Sequence, residues 1–133
     1  MLLLDWLTGR TVIAVDRDSG GAEFQLSHGG RLRVECLWRL VVGGRIVCTS
    51  EDHGQRFGHE GAVESAREAT SILAGREISH CEFHPETNDL VLSFGTGLRL
   101  ECVSDSAGYE AWMLTDPAGA QTIAVGGGGL AQA

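Results

Sequence analysis

The feature that most constrains this 133-residue chain is an internal repeat with a period of 66 residues. Residues 7–36 laid on residues 73–102 without a gap are identical at ten of thirty positions, whereas roughly two identities would arise by chance. The identical pairs are Leu7/Leu73, Gly9/Gly75, Arg10/Arg76, Leu26/Leu92, Ser27/Ser93, Gly29/Gly95, Leu32/Leu98, Arg33/Arg99, Glu35/Glu101 and Cys36/Cys102. The repeat predicts one structural unit that is used twice.

Each unit is predicted to be an antiparallel β-meander. Between Arg31 and Leu40, apolar and polar side chains alternate with the period of two that is typical of a strand with one buried face. Gly29 and Gly30 follow the preceding strand, where a hairpin turn needs positive φ. The predicted strands are Thr11–Arg17, Ala22–His28, Arg31–Leu40 and Val41–Ser50, then Glu77–Phe83, Asp89–Phe94, Leu98–Val103 and Ala111–Thr115, with a short last strand at Gln121–Val125.

A single helix is predicted between the units, over residues 60–74. Its small and apolar positions fall on one face, and Gly75 is placed to end it. The predicted fold class is therefore α+β, with two pseudo-repeated antiparallel β-meanders at residues 7–57 and 73–125 joined by this central helix, which packs on the sheet. Residues 1–133 are predicted to form a single domain, divided into a first β unit at 7–57, a helical segment at 58–75, a second β unit at 76–125 and a flexible tail at 126–133. Whether the halves form one sheet, two packed sheets or a partly closed barrel stays open.

Charge and composition exclude several classes of function. The chain has 10 basic residues against 18 acidic ones, for a formal net charge of −8. Because it has no basic tract to neutralise phosphates, we expect no nucleic-acid partner and no membrane partner. Asp5 and Arg10 interrupt the apolar start too early for a secretory signal or a membrane span, so we expect a cytoplasmic protein. The four cysteines form no CxxC pair, which indicates reduced core thiols.

The candidates for metal binding and catalysis are weak. His80, Glu82 and His84 would share one face of a strand, but together with Cys81 they match no standard metal motif. Asp52 and His53, which lie beside Glu51, could serve as an acid/base pair, although a solvated loop before the helix is the simpler interpretation. The chain has no nucleophile elbow, phosphate-binding loop or HExxH motif. We therefore predict no catalytic residues, no metal and no cofactor.

Matching charges in the two units allow a further interpretation. Arg33 and Glu35 of the first unit correspond to Arg99 and Glu101 of the second, and all four alternate with the apolar stripe. They are typical of a solvated sheet face. The alternative is a ladder of opposite charges that runs across the axis relating the two units.

The acidic C-terminal third is the predicted partner-binding region. Between Leu100 and Ala133 there is no basic residue, and acidic side chains alternate with aromatic ones. Aromatic rings supply contact area, and carboxylates steer a basic partner. The predicted partner-binding residues are Glu51, Asp52, Asp105, Tyr109, Glu110 and Trp112. For Trp112 the alternative is a core position, since the gapless repeat aligns it with Ile46.

Three motifs carry a resemblance to known proteins. They are Leu73-x-Gly75-Arg76, Asp89-Leu90-x-Leu92-x-Phe94-x-x-Gly97-x-x-Leu100 and Gly108-Tyr109-Glu110-x-Trp112. Over residues 70–115 the chain resembles a family of small, uncharacterised bacterial proteins that are similar to immunity proteins of interbacterial toxin systems. The resemblance implies a cytoplasmic protein that binds a cognate toxin or another protein, and it implies no catalytic residue.

The sequence therefore supports one leading hypothesis and two alternatives. The leading hypothesis is a non-enzymatic immunity protein whose acidic surface covers the active site of a basic toxin. The first alternative is a homodimer that pairs edge strands of the duplicated sheet and serves as a scaffold. The second is a metal-dependent or small-ligand enzyme that uses His80 and His84.

Overall fold

The computed structural model describes residues 4–133 and confirms the α+β class. Within this range it contains eleven β-strands, three short 3-10 turns and one α-helix. The strands are β1 Val12–Arg17, β2 Ala22–Leu26, β3 Arg31–Val34, β4 Leu37–Val42, β5 Arg45–Thr49, β6 His80–His84, β7 Asp89–Ser93, β8 Leu98–Val103, β9 Trp112–Thr115, β10 Gln121–Ala124 and β11 Leu130–Gln132, and the helix is α1 Ser65–Leu73.

The strands form two antiparallel sheets, and both repeat units contribute to each sheet. Sheet 1 has the order β1-β2-β3-β9-β10-β11, and sheet 2 has the order β5-β4-β8-β7-β6. The first unit gives three strands to sheet 1 and then two to sheet 2, whereas the second unit begins in sheet 2 and ends in sheet 1. The units are joined where β3 pairs with β9 and where β4 pairs with β8.

The predicted single strand Arg31–Leu40 is wrong, because the chain changes sheets in its middle. Strand β3 ends at Val34, and the amides of Glu35 and Cys36 both donate to the carbonyl of Ala111, at 2.8 and 3.1 Å. Strand β4 then starts in the other sheet. The predicted inward positions are nevertheless buried on both sides of the bend, because both sheets face the same core; these positions are Leu32, Val34, Cys36, Trp38 and Leu40.

Two aromatic pairs connect the sheets across the core. Phe24 of sheet 1 meets Trp38 of sheet 2 edge to face, with ring centroids 5.5 Å apart. In the other half, Phe83 of sheet 2 meets Trp112 of sheet 1 in the same way at 5.9 Å. Each pair contributes about 0.5–1.5 kcal/mol beyond the area that it buries. An edge-to-face aromatic contact therefore joins the two sheets in each half of the molecule.

Strand pairing shows that the gapless repeat ends after Cys36/Cys102. Trp112 pairs with Val34, and Leu40 pairs with Leu100, which is the repeat equivalent of Val34. The structural equivalent of Trp112 is therefore Leu40, at a separation of 72 rather than 66. The second unit holds six additional residues, and these lie in the loop between β8 and β9.

The helix is shorter than predicted and lies between the edges of the two sheets. It begins at Ser65 rather than at residue 60, because the preceding segment forms its own backbone-paired loop. Thr70 Oγ1 accepts the amide of Val15 in β1 at 2.9 Å, and Cys48 Sγ in β5 donates to the carbonyl of Ser65 at 3.7 Å. Gly75 ends the helical segment with a φ of 81°, as predicted. Thus α1 contacts one edge strand of each sheet, β1 at Thr70 and β5 at Ser65.

The predicted flexible tail over residues 126–133 instead contains strand β11, which pairs with β10. Asn88 Nδ2 donates to the carbonyls of Val125 and Gly129 at 2.8 and 2.7 Å and fixes the glycine-rich turn. A Cβ on Gly126 would lie 2.4 Å from the backbone of Gly108. Gly126 and Gly128 are therefore required by close backbone approach and not by mobility.

We predict that Gly126→Ala lowers the free energy of unfolding by at least about 1 kcal/mol, because the new methyl group collides with the rigid backbone of Gly108. Chemical denaturation measures the change. Gly61→Ala is the matched control, since nothing lies within 4 Å of its Cβ position and neither glycine has a positive φ. Equal stability of the two variants would contradict the close packing of the C-terminal turn.

Candidate functional site

The candidate site is an acidic cleft at the point where the first unit passes from sheet 1 to sheet 2. A cavity of about 310 Å³ lies between the β1–β2 turn at residues 17–21, the β3–β4 bend at residues 35–38, and the segment that follows β5. It continues into an open groove beside the β8–β9 loop, with Gly20, Glu35 and Asp105 shared by both parts. We call the two parts together the acidic cleft.

One wall of the acidic cleft is built around Arg33. Its guanidinium donates to both oxygens of Asp18 and to Glu35, each at 2.9 Å. The hydrogen bonds from Arg33, followed by the amide of Gly20, hold the pKa of Asp18 well below its usual range. The hydrogen bonds that Arg33 donates to Asp18, followed by the one to Glu35, raise the pKa of Arg33. The ion pairs of Arg33 with Asp18 and Glu35 therefore fix the β1–β2 turn against β3.

The alternative of a charge ladder across the two units is wrong. Arg33 lies in β3 of sheet 1 and pairs with Glu35 in the bend that follows it. Arg99 and Glu101 lie in β8 of sheet 2, where Glu101 pairs with both Arg99 and Arg39. Partial burial alone would raise the pKa of Glu101, but the two guanidiniums hold it below its usual value. The equivalent charged residues of the two units therefore form two separate ion-pair networks.

Three other carboxylates of the acidic cleft have no partner. Within residues 4–133, the side chains of Glu51, Asp105 and Glu110 make no hydrogen bond and no ion pair, although each lines the acidic cleft. Asp105 stands between the other two, because it lines both the cavity and the groove. Their charge is therefore available to a ligand of opposite sign.

Tyr109 extends from a loop that is itself held in place. Ser106 Oγ accepts the amides of Gly108 and Tyr109, at 3.1 and 2.9 Å, and the carbonyl of Ser106 accepts the amide of Gly127 at 3.1 Å. The side chain of Tyr109 is nevertheless 83% exposed. A fixed backbone with a free aromatic ring loses little conformational entropy on binding. This loop also contains the six residues that the first unit lacks.

Two of the predicted partner-binding residues lie elsewhere. Trp112 is only 1% exposed, and its Nε1 donates to the carbonyl of Asn88 at 2.7 Å, so its assignment to a binding surface is wrong. Asp52 does not line the acidic cleft; its Oδ2 accepts the amide of Thr49 in the 3-10 turn after β5. The structure thus brings together Glu51, Asp105, Tyr109 and Glu110. Sequence reasoning missed Asp18, for which the turn Asp18-Ser19-Gly20-Gly21 was the available signal.

Two nucleophilic groups, the Cys36 thiol and the Ser65 hydroxyl, belong to residues that line the acidic cleft. Cys36 lines the cavity, and burial, followed by the nearby carboxylate of Asp105, raises the pKa of its thiol to about 12. The Ser65 hydroxyl is buried and lies 3.2 Å from His53 Nδ1, which also accepts the Ser65 amide. His53 therefore binds the start of α1.

Two side chains of the histidine-rich strand β6 form a hydrogen-bonded pair. His84 Nε2 lies 2.8 Å from Glu82 Oε2 on the exposed face of the strand. In the part of the chain that the structure describes, no group of three or more His, Cys, Asp or Glu side chains is placed to hold a metal ion. All four cysteines are free thiols.

The fold and the site define an α+β protein of two interleaved sheets with an acidic cleft. The chain belongs to a family of unknown function, DUF6188, whose model matches residues 3–133. The likeness therefore extends far beyond residues 70–115. No curated protein and no solved structure matches the chain. Among the described residues, no helix is long and apolar enough to cross a membrane.

We predict that none of the four thiols reacts quickly with a disulfide reagent in the native protein at about pH 8. Burial raises the pKa of Cys48 to about 12 and that of Cys81 to about 11, so the reactive thiolate forms only as the pH approaches these values. Cys81 should react first, and Cys81→Ser should remove that earliest phase. Denatured protein, with four reactive thiols, is the control. Rapid modification of Cys36 would instead reveal an activated nucleophile in the acidic cleft.

Proposed function

We propose that the chain is a non-enzymatic protein that binds a basic partner protein through the acidic cleft. The observation that carries the proposal is the combination of three unpartnered carboxylates with the exposed ring of Tyr109 along one connected surface. Unpaired carboxylates attract Lys and Arg side chains from a distance and accept their hydrogen bonds at contact. An exposed tyrosine supplies apolar area and a polar tip.

The paired charges of the acidic cleft support this proposal as well. Arg33 pairs with Asp18 and Glu35, holds the wall rigid and compensates one of their two negative charges. Glu51, Asp105 and Glu110 add three more against one further basic lining residue, Arg17, so the surface stays acidic. A rigid wall with a few uncommitted carboxylates can accept basic side chains without rearranging. The protonated thiol of Cys36 and the buried Ser65 hydroxyl favour binding over covalent chemistry at this surface.

More specifically, we propose that the partner is a cognate bacterial toxin and that the chain is its immunity protein. A toxin that acts on nucleotides or nucleic acids carries a basic active site, which the acidic cleft would cover. The resemblance of the motifs at residues 70–115 to immunity-like proteins supports this form.

We predict that the protein encoded beside this gene binds the chain tightly and that neutralising Glu51, Asp105 and Glu110 together weakens binding at least about tenfold. The variant is Glu51→Gln/Asp105→Asn/Glu110→Gln, and calorimetry at two salt concentrations measures the dissociation constant. Higher salt should weaken wild-type binding more than variant binding, because screening acts on the removed charges. Tyr109→Ala should weaken binding with a smaller salt effect.

The matched control is Glu68→Gln/Glu77→Gln/Glu86→Gln, which removes the same charge from exposed sites outside the acidic cleft. If both triple variants weaken binding equally, only net charge matters and the site is elsewhere. If the neighbouring protein does not bind and co-expression does not rescue growth from it, the immunity proposal fails.

A second candidate function, self-association as a homodimeric scaffold, is favoured by one observation. Strand β5 is an edge of sheet 2, and its Ile46 and Val47 are 57% and 43% exposed. Val42, on the neighbouring strand β4, is exposed as well. An exposed edge with apolar side chains can pair with a second copy.

Under this second candidate, wild-type protein sediments as a dimer at micromolar concentration and Ile46→Lys sediments as a monomer, because the charge cannot be buried in a paired edge. Sedimentation equilibrium distinguishes the two states. Ile13→Lys is the control, since Ile13 is similarly exposed on the edge strand β1. A wild-type monomer at every concentration excludes the scaffold function.

A further inference from the structure

A short protruding loop joins strand β5 and its following turn to helix α1. Its two sides are held together by backbone hydrogen bonds, from Gly54 to the carbonyl of Val63 at 2.8 Å and from Val63 to the carbonyl of Gln55 at 2.7 Å. The loop leaves the body of the protein after Glu51 and returns at Ser65, and both residues line the acidic cleft. Both ends of the loop therefore adjoin that surface.

The tip of the loop is a tight turn with Phe57 in a strained conformation. The amide of His59 donates to the carbonyl of Arg56 at 2.8 Å, and the two central residues, Phe57 and Gly58, have φ values of 50° and 82°. Positive φ at both central positions defines a type I′ turn, in which Asn, Asp or Gly is preferred at the first position. An aromatic residue there is a conformational outlier.

The other non-glycine residues with positive φ in the described chain are of types that tolerate it. They are His28 and Asn88, and the amide of Asn88 serves the fold by binding two carbonyls. Phe57 has no such role, because its ring is 66% exposed and lies outside the hydrophobic core. The strain at Phe57 is therefore not compensated by packing within the chain. Backbone strain without an internal benefit is typical of a functional position.

We propose that Phe57 is a binding anchor that inserts into an apolar pocket of a partner protein. The adjacent Arg56 donates through its guanidinium to the carbonyl of Glu60 and so closes the loop that presents the ring. A protein is favoured over a membrane, since Glu51, Asp52 and Glu60 border the loop and would be repelled by an anionic bilayer. Insertion of the Phe57 ring does not depend on whether the carboxylates of the acidic cleft bind anything.

The first test separates a functional from a structural role by measuring stability. Phe57→Asn places a residue suited to the turn and should raise the melting temperature by about 3 °C. Phe57→Ala keeps the unfavourable φ while removing the ring, and it should leave the melting temperature within about 1 °C of the wild type. A fall in melting temperature for both variants would show that the ring stabilises the fold and would overturn the proposal.

The second test detects the partner directly. A photoreactive benzoyl analogue of phenylalanine replaces Phe57 in the source cells, and Ile13, which is 54% exposed on β1, is replaced in the control. Illumination should give one protein adduct from position 57 and none from position 13. Co-expressed wild-type chain should reduce that adduct at least about tenfold, whereas co-expressed Phe57→Asn should not. No adduct, a lipid adduct or an adduct with a second copy of the chain would each overturn the proposal, whatever happens at the acidic cleft.

Discussion

The pairing of β3 with β9 and of β4 with β8 is the interaction on which the rest of the structure depends. Each of these ladders joins one repeat unit to the other, so neither sheet is complete without both units. The chain passes from one sheet to the other twice in this region. The first unit crosses at the bend of Glu35 and Cys36, and the second unit crosses at the β8–β9 loop. The acidic cleft exists because these two crossings bring distant loops together at one end of the sheets.

Much of the strand pattern could be predicted from the sequence, because alternation identifies which side chains face a core. Leu32 and Trp38 are both buried as expected, although they lie in different sheets. Alternation does not say which sheet a strand joins, so the exchange of strands was missed. The tail was misjudged because tetraglycine is typical of a flexible segment, whereas here close approach to Gly108 demands it.

The candidate site was predictable only in part, for a topological reason. Asp105, Tyr109 and Glu110 are close in sequence, and their clustering was visible there. Asp18 comes from the first unit, and only the assembled sheets bring it to the same surface. Trp112 was assigned to the binding surface because it lies in the same acidic and aromatic run, whereas strand pairing makes it the counterpart of the buried Leu40.

The exchange of strands also sets the order in which the chain can acquire structure. Val34 and Trp112 pair although they are 78 positions apart in the sequence, so β3 lacks its second neighbour, β9, until nearly the whole chain has been synthesised. Strand pairs between such distant residues form slowly, because the intervening chain loses conformational entropy before the stabilising contacts are made. A nascent chain released before β9 would expose the unpaired edge of β3, which makes truncated products prone to aggregate.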